Sequence, residues 1–140
     1  MISSRFSVAV HILALIEVNE GNVTSEFMAG SVNTNSAVIR RIMGMLSRGG
    51  LISSRPGVVG IKLLKPTEEI TFLDVYRAVE LPETKDLFSV HQNTNIRCPI
   101  GQHIQSAMEP VLHDAQSQME QVLAQATIKQ LVAEIADKGD

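Results

Sequence analysis

Apolar positions recur every three or four residues through most of the chain, and polar breaks separate them into segments. In residues 36–48, Val38, Ile39, Ile42, Met45 and Leu46 make one apolar stripe. The opposite side holds Ala37, Arg40, Arg41, Gly44, Ser47 and Arg48. That spacing predicts an amphipathic helix with a small, basic outer face. Asn33, Thr34, Asn35 and Ser36 are all suitable caps before it, and Gly49-Gly50 stops it. Upstream, Thr24 or Ser25 can cap a shorter helix with Glu26 in its first turn, Phe27, Met28 and Ala29 as its apolar face, and Gly30 as its end. Val32 to Asn35 then reads as a polar turn around one valine. Downstream, Leu51–Ser54 and Ile61–Leu64 read as two short strands joined by Arg55-Pro56-Gly57-Val58-Val59-Gly60. Helix, turn, basic helix and strand pair in that order predict a winged helix-turn-helix, a unit that offers one helix to the DNA major groove.

The flanking segments support that unit. A helix from Ser3 or Ser4 to about Val18 carries one stripe of Phe6, Val10, Leu13 and Ile16 and a second of Val8, Ile12 and Leu15. Two apolar sides need two partners: one is the helix-turn-helix, and a second subunit is the economical choice for the other. After Pro66, Thr71-Phe72-Leu73-Asp74 is a capping-box pattern, with Ile70 placed to staple against Val75. The helix it opens turns Phe72, Val75, Tyr76 and Val79 inward and ends at Leu81-Pro82. Residues 83–97 are polar and turn-rich, with Leu87, Phe88 and Val90 as anchors, and are expected to be a flexible connection. From Cys98, with Pro99 acceptable in the first turn, Ile100, Ile104, Met108, Val111, Ala115, Met119, Val122 and Ala126 recur at helical spacing. This predicts one helix of roughly 25 residues, longer than so small a domain can cover, shared between two chains, with Pro110 either kinking it or accommodated near an existing bend. Thr127 restarts a short helix bearing Ile128, Leu131, Val132 and Ile135. The predicted fold is mainly α with a small two-stranded wing. Its divisions are residues 1–82 for DNA binding, 83–97 as connection and 98–140 for dimerisation with the short last helix.

The charge distribution sharpens this picture. The net charge over 140 residues is −3, which taken alone argues against nucleic acid. Residues 1–65, however, carry seven Lys/Arg and three Glu, a net +4. Residues 66–140 carry five basic and twelve acidic groups, a net −7. Phosphate contact depends on the local patch, since screening limits distant charges. A basic front and an acidic rear therefore fit a DNA reader.

No apolar run reaches the roughly 18 residues of a membrane span. The apolar start is followed by Glu17 and Glu20 without a small-residue cleavage site, so it reads as a helix of the mature protein. One cysteine, Cys98, excludes an internal disulfide framework and suits a reducing cytoplasm. At a predicted helix start, Cys98 is a candidate redox or thiol-reactive sensor or half of an intersubunit pair; the alternative is a small buried apolar residue. His91, His103 and His113 match no metal-ligand spacing, and His11 reads as structural. There is no nucleophile–base constellation, phosphate-cradling glycine loop or defined carboxylate pair, so the chain is not read as an enzyme.

The segments SSRFSVAVHILALI, SVNTNSAVIRRIMGMLSRGGLISSRPG, EEITFLDVYRAVE and CPIG together resemble the Rrf-type family of bacterial winged-helix repressors. That family includes the iron–sulfur cluster regulator and the cysteine-metabolism repressor. The resemblance runs over about residues 2–125. It implies a homodimer with a long C-terminal dimerisation helix on operator DNA, base contacts near Ala37, Arg40 and Arg41, and a wing tip at Arg55–Gly60 reaching the minor groove. The chain departs from the family in two places. Cluster-binding members carry three closely spaced cysteines near Cys98, so a three-cysteine cluster within one subunit is excluded here. The usual wing is richer in glycine than Arg55-Pro56-Gly57-Val58-Val59-Gly60.

The expected function is a sequence-specific, DNA-binding transcriptional repressor acting as a homodimer on a palindrome, with a redox or small-molecule response or a protein co-regulator. The candidate DNA-contacting residues are Asn35, Ser36, Ala37, Val38, Arg40, Arg41, Arg48, Arg55, Gly57 and Lys62, with Cys98 as candidate sensor and no cofactor or metal. The competing class is a protein-interaction dimer with little DNA binding of its own. The intact basic stripe argues against it.

Overall fold

The computed structural model describes residues 4–54, 60–80, 88 and 90–139. The Ser3 cap, the wing tip with Arg55 and Gly57, the Leu81-Pro82 stop and the Leu87 anchor lie outside the described residues. The described elements run α1 (Ser4–Val18), α2 (Ser25–Val32), α3 (Ser36–Arg48), β1 (Ile52–Ser53), β2 (Lys62–Leu63), a 3-10 turn (Thr67–Glu69), α4 (Phe72–Val79), α5 (Pro99–Gln125) and α6 (Ile128–Lys138).

Capping sets most of these boundaries. Thr24 caps α2, its side chain accepting from the Phe27 N–H. Gly30 does not end that helix. The helix runs on to Val32 and stops where Asn33 turns left-handed, at φ 67°, a conformation asparagine tolerates better than most residues. Asn35, of the four suitable caps, holds the start of α3. Thr71 and Asp74 form the expected capping box on α4, and Thr127 with Gln130 forms another on α6. Burial would raise the Asp74 pKa, but hydrogen bonds from the Thr71 backbone and Lys65, with the lysine's charge, outweigh it and hold the carboxyl below its ordinary value.

The strands are shorter than expected. The antiparallel pair joins only Ile52 to Leu63 and Ser53 to Lys62, enough to fix the root of the wing. Gly21 anchors that root. Its carbonyl accepts the Ile61 N–H at 3.0 Å, and at φ +82° a Cβ there would lie 2.3 Å from the Ile61 oxygen. Only glycine fits both the conformation and the approach.

One core joins α1, α2, α3, the strand roots, α4 and α6. Its centre is Ile12, Leu13, Ile16, Met28, Ile39, Ile42, Leu46, Val75 and Ile128, all fully buried. α1 packs against α2, α3, α4 and α6 of its own chain, with Val8 and Leu15 of its second stripe half-buried, so the further partner that stripe needs comes at least in large part from within the chain. The partner is α6, which returns after α5 and hydrogen-bonds beside Thr71 (Phe72 N–H to Ala126 O, 2.8 Å; Ile128 N–H to Ile70 O, 3.0 Å).

The long helix α5 behaves differently. It has 27 residues and no buried side chain, a length of about 40 Å at 1.5 Å per residue. It leans on α4, where Arg77 and Glu120 pair at 3.5 Å, and runs on through Pro110. Ile100, Val111 and Val122 are 71, 67 and 67% exposed. Eleven residues are close to three helical turns, so these three lie on one line along the rod.

Candidate nucleic-acid interface

The site is the outer face of α3. Ile39, Ile42 and Leu46 are buried and fix the helix on the core, while Val38, Met43 and Met45 pack at its edges. This anchoring determines what faces out: Ala37, Arg40, Arg41, Ser47 and Arg48 are exposed. The face is basic, with small residues between the arginines. It can lie in a groove about 12 Å wide and bring guanidinium groups to guanine edges or phosphates.

The other proposed contacts are distributed around that face. Asn35 and Ser36 stand at the N-terminal end of α3. The Asn35 side-chain oxygen is engaged, accepting the Val38 N–H at 3.0 Å. Val38 is half-buried and belongs more to the packing edge than to the outer face. Arg48 closes the last turn, beside Gly44. Lys62 is exposed on β2, opposite Ser53 at the root of the wing.

One contact on this face was not evident from the sequence. The Arg40 Nη1 lies 3.7 Å from the Glu26 Oε1, with the two side chains 58 and 72% exposed. Arg41 and Arg48 have no ion-pair partner among the described residues. Fourteen residues and a turn separate Glu26 from Arg40, and no local spacing rule reports such a pair. A second link across the unit is the His11 Nε2 to Ser31 Oγ contact of 2.8 Å, which ties α1 to α2.

Cys98 is the N-cap of α5 and is fully exposed, which removes the buried-apolar alternative. Its side chain makes no capping hydrogen bond, but the backbone N–H groups of Gly101 and Ile100 in the first turn of α5 lower its pKa from the ordinary thiol value. His91, His103 and His113 are exposed. Among the described residues no three His, Cys, Asp or Glu side chains are grouped as metal ligands. Thiolate-held clusters need several cysteines, so the residues of one chain do not fit an iron–sulfur centre. No helix of the described residues is long and apolar enough to cross a membrane.

The family model described as "Rrf2: Iron-dependent Transcriptional regulator" matches residues 2–134. YwnA of Bacillus subtilis (strain 168), assigned as an HTH-type transcriptional regulator, is 43% identical over 132 residues, which are 94% of this chain and 97% of YwnA. A crystal structure assigned as a DNA-binding protein superposes with a TM-score of 0.75 at 38% identity, over 91% of this chain and 98% of that one. CymR, the global cysteine regulator of B. subtilis, shares the fold at 18% identity, with a TM-score of 0.69 over 95% of this chain and 96% of CymR. With a basic helix presented by a winged helix-turn-helix and a family match over nearly its whole length, the chain belongs to the Rrf2 family of transcriptional regulators.

Proposed function

We propose that two copies of this chain pair along α5 and hold their α3 helices against a palindromic operator, and that the protein represses transcription from it in the cytoplasm. The observation that carries this reading is the exposed basic face of α3, anchored from behind by Ile39, Ile42 and Leu46. One such helix reads few base pairs. Two, set about 34 Å apart, read a dyad with a useful specificity ratio. The uncovered line Ile100, Val111, Val122 on a 27-residue helix supports the pairing, because an apolar row of that length favours a partner surface over water.

The experiment is a salt-titrated binding assay on duplex recovered by the protein from a random pool. The wild-type chain should lose affinity steeply as salt rises, yet keep a preference for the recovered sequence. Arg40→Ala with Arg41→Ala should lower that affinity by at least about 30-fold, at about 1–3 kcal/mol per bidentate contact. A doubly substituted protein that still selects the same sequence would refute the reading.

Cys98 is the proposed point of thiol sensing. Its exposed sulfur, favoured as thiolate by two backbone N–H groups, begins the helix assigned to pairing. Cys98→Ser should make DNA binding indifferent to added oxidant; binding that stays oxidant-sensitive in Cys98→Ser removes the sensor role.

A further inference from the structure

We infer that Glu26 is a specificity-setting residue of the DNA-reading face: its carboxylate biases Arg40 toward base edges and away from phosphates. This rests on α3 being the reading helix.

The geometry is particular to Arg40. Among the described residues it is the basic side chain of α3 with a carboxylate opposite it, and that carboxylate comes from the first turn of α2. At 3.7 Å the contact is a charge pair and longer than a hydrogen bond. The guanidinium N–H groups therefore remain free to donate. Both side chains are exposed on the outer side of the unit, so a duplex that meets Arg40 also meets Glu26.

Two targets then differ in what they do to Glu26. Guanine O6 and N7 are neutral acceptors. Arg40 can bond them and keep its charge beside Glu26, so the carboxylate stays compensated. A phosphate carries a full negative charge. To serve it, Arg40 must be shared between two anions or leave Glu26 uncompensated beside the DNA backbone. Glu26 thus weakens the sequence-independent share of binding more than the base-reading share. Specificity is the difference between those two affinities, and a repulsive element against the wrong target raises it.

The test uses the full chain in four forms: wild type, Glu26→Gln, Arg40→Ala and the double substitution. Two probes serve, a duplex of about two to three helical turns spanning both half-sites, recovered by the wild type from a random pool, and the unselected pool itself. Exposed pairs are worth up to about 1 kcal/mol, or about fivefold. Glu26→Gln should bind the unselected pool about fivefold tighter, with a salt slope steeper by about one phosphate contact. Its affinity for the recovered duplex should stay within about twofold, so the specificity ratio falls. In the Arg40→Ala background the same substitution should have less than about half that effect on a logarithmic scale. Glu26→Ala must act on binding as Glu26→Gln does, and either should lower the melting temperature by no more than about 4 °C, the cost of one favourable first-turn charge on α2. An unchanged ratio, or an equal gain with and without Arg40, overturns the inference while leaving DNA reading intact. A wild type that recovers no preferred sequence overturns the DNA-reading role itself, and this inference with it.

Discussion

α1 and α5 both carry apolar stripes that need cover, two on α1 and one long one on α5. They meet that demand in opposite ways. α1 has Ala9, Val10, Ile12, Leu13, Ala14 and Ile16 buried, all within its own chain. α5 is nearly twice as long and has no buried residue. An apolar stripe reports that a surface must be covered, but not by which element. In α1 the cover is a helix more than a hundred residues later in the chain, α6. In α5 the main packing partner among the described elements is α4, and the row Ile100, Val111, Val122 is left facing out.

Substitutions in each helix should act in opposite ways. The largest effect is expected in α1. Leu13→Ala removes a fully buried side chain and should cost about 3 kcal/mol of folding stability, at any protein concentration. Chemical denaturation checks it; a loss under about 1 kcal/mol would mean that the α1 core is not as tightly filled as described. In α5, Val111→Lys with Val122→Lys should leave the unfolding midpoint of the isolated chain within about 1 kcal/mol, because both positions are exposed. The same pair should shift the protein from dimer to monomer and flatten selective DNA binding. A third substitution sharpens the α1 side, where α4 and the α6 start meet. Asp74→Asn removes the charged member of the capping box and the Lys65 pair, and should cost about 1 kcal/mol.

The pH dependence of Asp74 follows from its lowered pKa. A carboxyl held below its unfolded value stabilises the fold above that unfolded value. The contribution fades as pH drops through the folded pKa. The wild type should therefore lose stability relative to Asp74→Asn as pH falls below about 4, measured by urea unfolding across that range. Curves that stay parallel would deny Asp74 this role.

The reading unit was legible because its signals are local. Thr24, Asn35 and Thr71 cap the helices they precede, and the stripe Ile39, Ile42, Leu46 points inward as its spacing requires. Gly30 misled because a glycine on an exposed helix surface can be tolerated, and the actual stop is the left-handed Asn33 two residues beyond Gly30-Ser31. What could not be read depends on distance along the chain. The closure of α6 on α1, the approach of Gly21 to Ile61 and the Glu26–Arg40 pair each join residues separated by at least a turn and a helix. Hydrophobic period says nothing of such pairings. The charge on the reading face was visible as three arginines, but the carboxylate that modifies one of them was visible only as a favourable first-turn residue.

The pairing through α5 is the claim on which operator reading rests, and sedimentation equilibrium of the full chain at micromolar concentration tests it most directly. The expected mass is twice the 15.3 kDa of one chain, falling to a single chain when Val111 and Val122 are both replaced by lysine. A wild-type mass of one chain, unchanged by those replacements, would contradict it.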